Sequence, residues 1–444
     1  MNEITSRFLP KEDAQRRELH NEVHARPSAR VRLPALIVYV AVLNEGVSRE
    51  QELAHLQLLP GHADLTLDRM QGNFLRLRCD HYTVKWERHT EFTRYSIVQT
   101  LPAHAGWGET LPELAAHVAP GTDWLRGLPG QTMAAIHMGM LQADIDQGDL
   151  IPIAQTWLGE GAVLASRMGN TTEGMPHSCI LTNFRIGADG FERMLVLAPE
   201  GTTEARAGRI SQRVLEVETY RLMALRGLPV AKNLSAMLSS AESQLADITG
   251  SLERKGQTDQ ALLDALVALA ARIERATAEH GFRFSATRAY DTLVSQRLTE
   301  LRERPISGTQ TLGEFMQRRL SPAMATVQAT EKRLASLAER VSRTSALLRT
   351  RVDIATEAQN QVLLEKLTKG QALQLRLQST VEGLSIAAIS YYVISLLLYV
   401  VKALTAAGMP FQPEVVVGAL VPVVFWGVWK AVQRIHKKLH QMEP

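Results

Sequence analysis

The chain has 444 residues, room for two or three domains of about 100–200 residues each, and with 45% hydrophobic, 21% charged and 5% aromatic residues it is helix-prone and able to bury a core. Forty-nine basic against 46 acidic residues leave a net charge of +3, too balanced to argue for a nucleic-acid-binding surface. Two cysteines, Cys79 and Cys179, exclude a disulfide framework and a thiolate metal cage and point to a reducing compartment; no metal and no cofactor is expected.

Residues 1–10 are polar and lack the apolar core and cleavage site of a secretory signal, so none is expected. His20 and His24 stand four apart, a spacing that on a helix would converge on a metal. Asn21, however, occupies the place of a zincin's general-base glutamate, and Pro27 discourages helix at Arg26, so a structural role is favoured over ligation at His24. Residues 1–200 alternate turn signals with β-branched runs, predicting strands at 31–43, 74–88, 92–99, 133–141, 162–167, 179–186 and 191–197 and helices at 49–59 and 111–118. This is a mixed α/β domain with a largely antiparallel sheet. The run from Trp86 to Phe92 mixes acid, base and imidazole, and offers either an ion or small-ligand site at His89 or cross-strand ion pairs at a solvated turn. His81 and His177 beside the cysteines are too sparse for a structural zinc site.

After Pro199 the pattern turns helical, at 204–225, 230–252, 258–280 and 285–303. Residues 305–313 are a turn-rich break, and the absence of proline between Pro322 and Pro410 predicts one helix from about Ala323 onward. Along it Val327, Leu334, Val341, Leu348, Ala355 and Val362 recur every seven residues and mark a seam. Thr330, Thr344 and Arg351 at companion positions disfavour a two-stranded zipper, leaving packing against the 230–303 helices or around an oligomer axis.

Residues 383–401 carry no charge and span about 28 Å as a helix, close to the bilayer core. Residues 415–429, about 22 Å long, are also uncharged, with Trp426 and Trp429 suited to an interfacial belt. The connector lacks Lys and Arg, whereas Lys430, Arg434, Lys437 and Lys438 follow the second span, so both termini are expected in the cytoplasm. On the first span Tyr391, Ser395, Tyr399 and Lys402 share a face, which either packs against neighbours or lines a wet path. The fold class is thus α+β: a mixed α/β domain at 1–200, a helical region at 201–322, a long helix at 323–382, a first span at 383–405, an external loop at 406–414, a second span at 415–429 and a basic tail at 430–444.

No phosphate-binding Gly-rich loop and no Gly-x-Ser-x-Gly elbow occurs; no catalytic residue is assigned and an enzyme is not expected. The segments Asn21 to Pro27, Trp86 to Phe92 and Val381 to Tyr392 resemble an uncharacterised bacterial family of membrane-anchored proteins defined as a domain of unknown function, which implies the anchor and no activity. The α/β domain, long helix, hairpin and basic tail also resemble the CorA-type magnesium transporters. That resemblance implies a homo-oligomer, a pentamer around the first span, in the inner membrane. Gly408, Met409 and Pro410, followed by Pro413 and Glu414, stand near that family's Gly-Met-Asn loop and its following Pro-Glu, with Pro410 in place of the asparagine. A ring of Lys402 side chains would repel Mg²⁺. The resemblance implies an oligomeric ion transporter of unassigned selectivity in the lipid bilayer; the alternative is a membrane-anchored cytoplasmic sensor or scaffold without transport activity.

Overall fold

The computed structural model describes residues 13–16, 19–20, 30–70, 72–101, 119–143, 150–169, 178–253, 259–407 and 412–440. His24, His177, the predicted helix 111–118 and the loop residues Gly408, Met409 and Pro410 lie outside the described residues. Residues 1–255 with 264–344 form one compact unit, and 256–263 with 345–444 a second.

The first unit is built on one sheet. Its strands are β1 (Ala35–Leu43), β2 (Phe74–Arg78), β3 (Tyr82–Arg88), β4 (Phe92–Thr100), β5 (Gln131–Gln142), β6 (Leu164–Met168), β7 (Ser178–Ile186), β8 (Glu192–Ala198) and β9 (Glu303–Pro305). They lie in the order β2-β3-β4-β1-β5-β8-β7-β6-β9. Every pairing is antiparallel except β5 with β8. The single strand predicted over 74–88 is a hairpin: Cys79 N–H donates to Tyr82 O at 2.9 Å, and Asp80 and His81 make the turn. No Gly or Pro marks that turn, and Asp80 alone is too weak a turn signal to divide the run. β9 is only three residues long and ends in Pro305, which a terminal strand tolerates because its outer N–H groups need no partner.

Eight helices are assigned among the described residues: α1 (Arg49–Leu56), α2 (Thr122–Arg126), α3 (Leu150–Leu158), α4 (Glu204–Leu225), α5 (Gly227–Glu253), α6 (Asp259–Leu301), α7 (Leu312–Ala406) and α8 (Pro413–His440). α1 starts where Ser48 and Gln51 form a reciprocal capping box that satisfies two N-terminal N–H groups. The two helices predicted over 258–303 are one continuous α6. α7 begins at Leu312, ahead of the predicted start near Ala323, and carries Pro322 in its interior.

β1 reads ALIVYVAVL because both faces of a central strand are covered. On one face Leu36, Val38 and Val40 join Val84, Trp86, Tyr95 and Ile97 in a core closed by Leu56 of α1, Trp124 of α2 and Trp157 of α3. The predicted seam is buried at Val327, Leu334, Val341 and Leu348. Arg333 reaches Glu242 of α5 at 2.8 Å, and Arg288 of α6 lies 3.4 Å from Glu331. Between Val327 and Val341, then, the seam faces its own helical layer; Val362 beyond it is exposed. Two helical stretches, one within α7 and one over Pro413–Ile435, are long and apolar enough to cross a membrane.

Candidate functional site

On β1 to β4 the strand period of two sends apolar side chains to the core and a different set to the opposite face. Cross-strand register aligns that second set in rows. Glu87 pairs with Arg94; Arg76, Lys85, Ser96 and Tyr39 form the next row; Arg78, Thr83, Val98 and Ile37 form the third. Helix α4 closes this face. The hydroxyls of Tyr39 and Thr219 lie 2.7 Å apart, and Arg94 Nη1 reaches Glu216 at 3.1 Å. Val31 N–H donates to Glu204 O at 3.0 Å, fastening the lead-in to β1 to the first turn of α4.

A cavity of about 330 Å³ remains between sheet and helix. Its lining carries five basic side chains, Arg30, Arg76, Arg78, Lys85 and Arg94, against two carboxylates, Glu87 and Glu204. Ser96, Thr83, Ser211 and Gln212 add neutral polar groups, and Val31, Ile37, Val98 and Leu215 an apolar wall.

The inner charges are mutually compensated. Lys85 Nζ lies 3.1 Å from Glu87, which also accepts from Arg94; Arg94 and Arg297 in turn share Glu216, Arg297 at 2.5 Å. Burial would raise the Glu87 carboxyl, but Arg94 and Lys85 outweigh it and hold it down at about 2. Glu216 is likewise held low against its burial by Arg94, Gln212 and Arg297. Burial pushes the Lys85 ammonium down, with Glu87 pulling partly back, and pushes the Tyr39 phenol up. One oxygen of Glu87, Oε1, is buried without a hydrogen-bond partner. At the rim Arg30, Arg78 and Glu204 are exposed. Because its carboxylate is committed to two cations, Glu87 is a poor proton acceptor, and the arrangement suits binding of an anion rather than acid–base chemistry.

A second buried polar group lies where β8 meets α4. Glu218 pairs with Arg221, and Glu192 hydrogen-bonds Glu218; burial, then the charge of Glu218, raises the Glu192 carboxyl to about 8. On the core face, the His137 ring stacks on Phe191 with centroids 3.9 Å apart, and burial pushes it down to about 4. Among the described residues no three His, Cys, Asp or Glu side chains gather as a metal set.

His89 sits in the β3–β4 turn, where its ring stacks on Phe92 at 4.5 Å and its carbonyl accepts from Asn44 at 2.9 Å. It does not line the cavity. The surrounding run divides its labour: Trp86 enters the core, Glu87 the cavity, Arg88 pairs with Glu52 at 2.7 Å, and Glu91 pairs with Arg283 of α6. Tyr391, Ser395, Tyr399 and Lys402 follow one another along α7; the two tyrosines are exposed and Ser395 half-buried, and Glu414 lies exposed in the first turn of α8. Ser390, one residue before that stripe, is the buried one, with an unpartnered hydroxyl.

Sequence reasoning missed Tyr39, Arg76, Arg78, Lys85, Arg94 and Glu216. For Arg76, Arg78 and Lys85 the signal was present as charges at every second position in FLRLR and YTVKWER, a pattern that reads as a solvated face until a helix is laid over it.

No curated protein matches the chain. No solved structure matches it either, so the likeness to CorA-type transporters finds no support in a shared fold. The profile of one family, described as "Protein of unknown function (DUF3422)", matches residues 11–439, and with nearly its whole length covered the chain belongs to that family.

Proposed function

We propose that the protein is a membrane-anchored sensor: the apolar parts of α7 and α8 form a hairpin in the inner membrane, both termini face the cytoplasm, and the α/β domain binds a small anion in the cavity under α4. The observation that carries this reading is the excess of three positive charges on the walls of a cavity of about 330 Å³, at the lower end of the volume range of ligand pockets. The anchor is supported by the two long apolar helices and by the end of the second one, where Lys430 lies 4.4 Å from the ring centre of Trp426, an interfacial pairing of cation and aromatic ring. The test is a thermal-shift screen of the full chain in nanodiscs against small carboxylates, phosphates and sulfate at constant ionic strength. Stabilisation by at least one anion, lost in Arg78→Gln, is expected; no response to any anion would sink the sensor reading.

A second reading is ion transport by an oligomer built around the first span. It is supported by the hydroxyl-bearing stripe of Tyr391, Ser395 and Tyr399 leading to Lys402 on an otherwise apolar helix. Reconstituted vesicles assayed for Mg²⁺, proton and chloride flux decide it, because no flux above empty-vesicle background removes transport while leaving the sensor intact.

A further inference from the structure

We infer that the cavity between β1–β4 and α4 is a site for a phosphate monoester, with Arg30 and Arg78 at its mouth taking the phosphoryl oxygens and the apolar wall of Ile37, Val98 and Leu215 taking the organic body. The inference rests on the sensor reading and narrows its ligand.

Three observations lead to a phosphoryl group. Charge comes first. Lys85 and Arg94 are already committed to Glu87 and Glu216, whereas Arg30 and Arg78 are exposed and, among the described residues, have no acidic partner. A monocarboxylate would leave one of these two guanidinium charges uncompensated, whereas a phosphate monoester carries about two negative charges at neutral pH and matches both. Geometry is the second. Arg76 and Arg78 alternate on β2, so both guanidiniums stand on the cavity face of one strand, and planar guanidinium forks match the terminal oxygens of phosphate in pairs. Thr83 and Ser96, on the same face of the neighbouring strands, bring hydroxyl donors to a group with three terminal oxygens. Volume is the third. At about 330 Å³ the cavity is much larger than a bare oxyanion, which has no use for an apolar wall, and small for a dinucleotide.

Inside the cavity Glu87 sets a limit. Its carboxylate faces the same space and repels an anion that penetrates to the Lys85–Arg94 end, so the phosphoryl group stays at the arginine-rich mouth. The same chemistry is offered by a soluble phosphorylated metabolite and by the headgroup of phosphatidic acid.

Isothermal titration of the full chain in phosphatidylcholine nanodiscs with glycerol 3-phosphate, lactate and sulfate tests the assignment. Glycerol 3-phosphate is expected to bind at least about tenfold more tightly than lactate at pH 7.5, to weaken as pH falls through about 6, where the second phosphate proton returns, and to lose about tenfold or more in Arg30→Gln and in Arg78→Gln. Both substitutions are at exposed positions, and an unchanged melting temperature without ligand verifies that the variants fold. Displacement of glycerol 3-phosphate by dioctanoyl phosphatidic acid assigns the headgroup as source, and its failure assigns a soluble ester. Lactate binding as tightly as glycerol 3-phosphate, or phosphate binding unaffected in both variants, overturns the phosphate assignment and leaves the sensor reading standing; no binding of any anion overturns both.

Discussion

Glu87 is 1% exposed and holds two cations, Lys85 and Arg94, that would otherwise be buried without enough negative charge. Breaking a buried pair by neutralising one partner costs about 3–5 kcal/mol, so Glu87→Gln is expected to lower unfolding stability in urea by that order. The carboxyl is depressed to about 2 from an ordinary 4.5, so its contribution is full above pH 4.5 and is lost as pH falls from there through 2. Glu192 has the opposite sign. Burial and Glu218 raise it to about 8, so its contribution is full below pH 4.5 and is lost as pH rises through 8. Melting temperature should therefore decline as pH rises from about 4.5 to about 8, and Glu192→Gln should flatten that decline; an equally steep decline in the variant would show that another group titrates there.

At the level of elements, β5 and α3 meet where only a hydrogen fits. A Cβ on Gly139 would lie 2.3 Å from Trp157 Cζ3, and Trp157 is fully buried in the core. Gly139→Ala is expected to destabilise by about 1–3 kcal/mol, measured as a lower midpoint in urea with an unchanged slope. Long elements with one strong period were legible in the sequence: 204–225 coincides with α4, and the seven-residue seam through Val327, Leu334 and Val341 is buried. Short ones were not. The Asp80–His81 turn lacks a Gly or Pro, α2 is five residues long, and β9 has three residues whose pairing with β6 depends on a partner more than a hundred positions away.

At the scale of the whole molecule, the proposed tether makes a physical prediction. The full chain should stay with membranes through an alkaline carbonate wash. Leu397→Asp combined with Val424→Asp places a carboxylate in each apolar stretch, each costing about 2.5–3.5 kcal/mol at the bilayer centre, and should sharply lower the retained fraction. Full release of the unaltered chain by carbonate would remove the anchor and, with it, the reading of a membrane-bound sensor.

Sequence by itself determined the class of the fold, the sheet-then-helix order of the chain and the two long apolar stretches, because each depends on a repeat or a run that neighbouring residues write together. Tertiary structure alone decided the cavity. Lys85, Glu87 and Arg94 occupy positions that local pattern assigns to solvent, and they become a buried ionic network only because α4, more than a hundred residues later, lies across that face and supplies Glu216. No local period carries information about a contact between elements so far apart in the chain, so this basic cavity could be recognised only after folding.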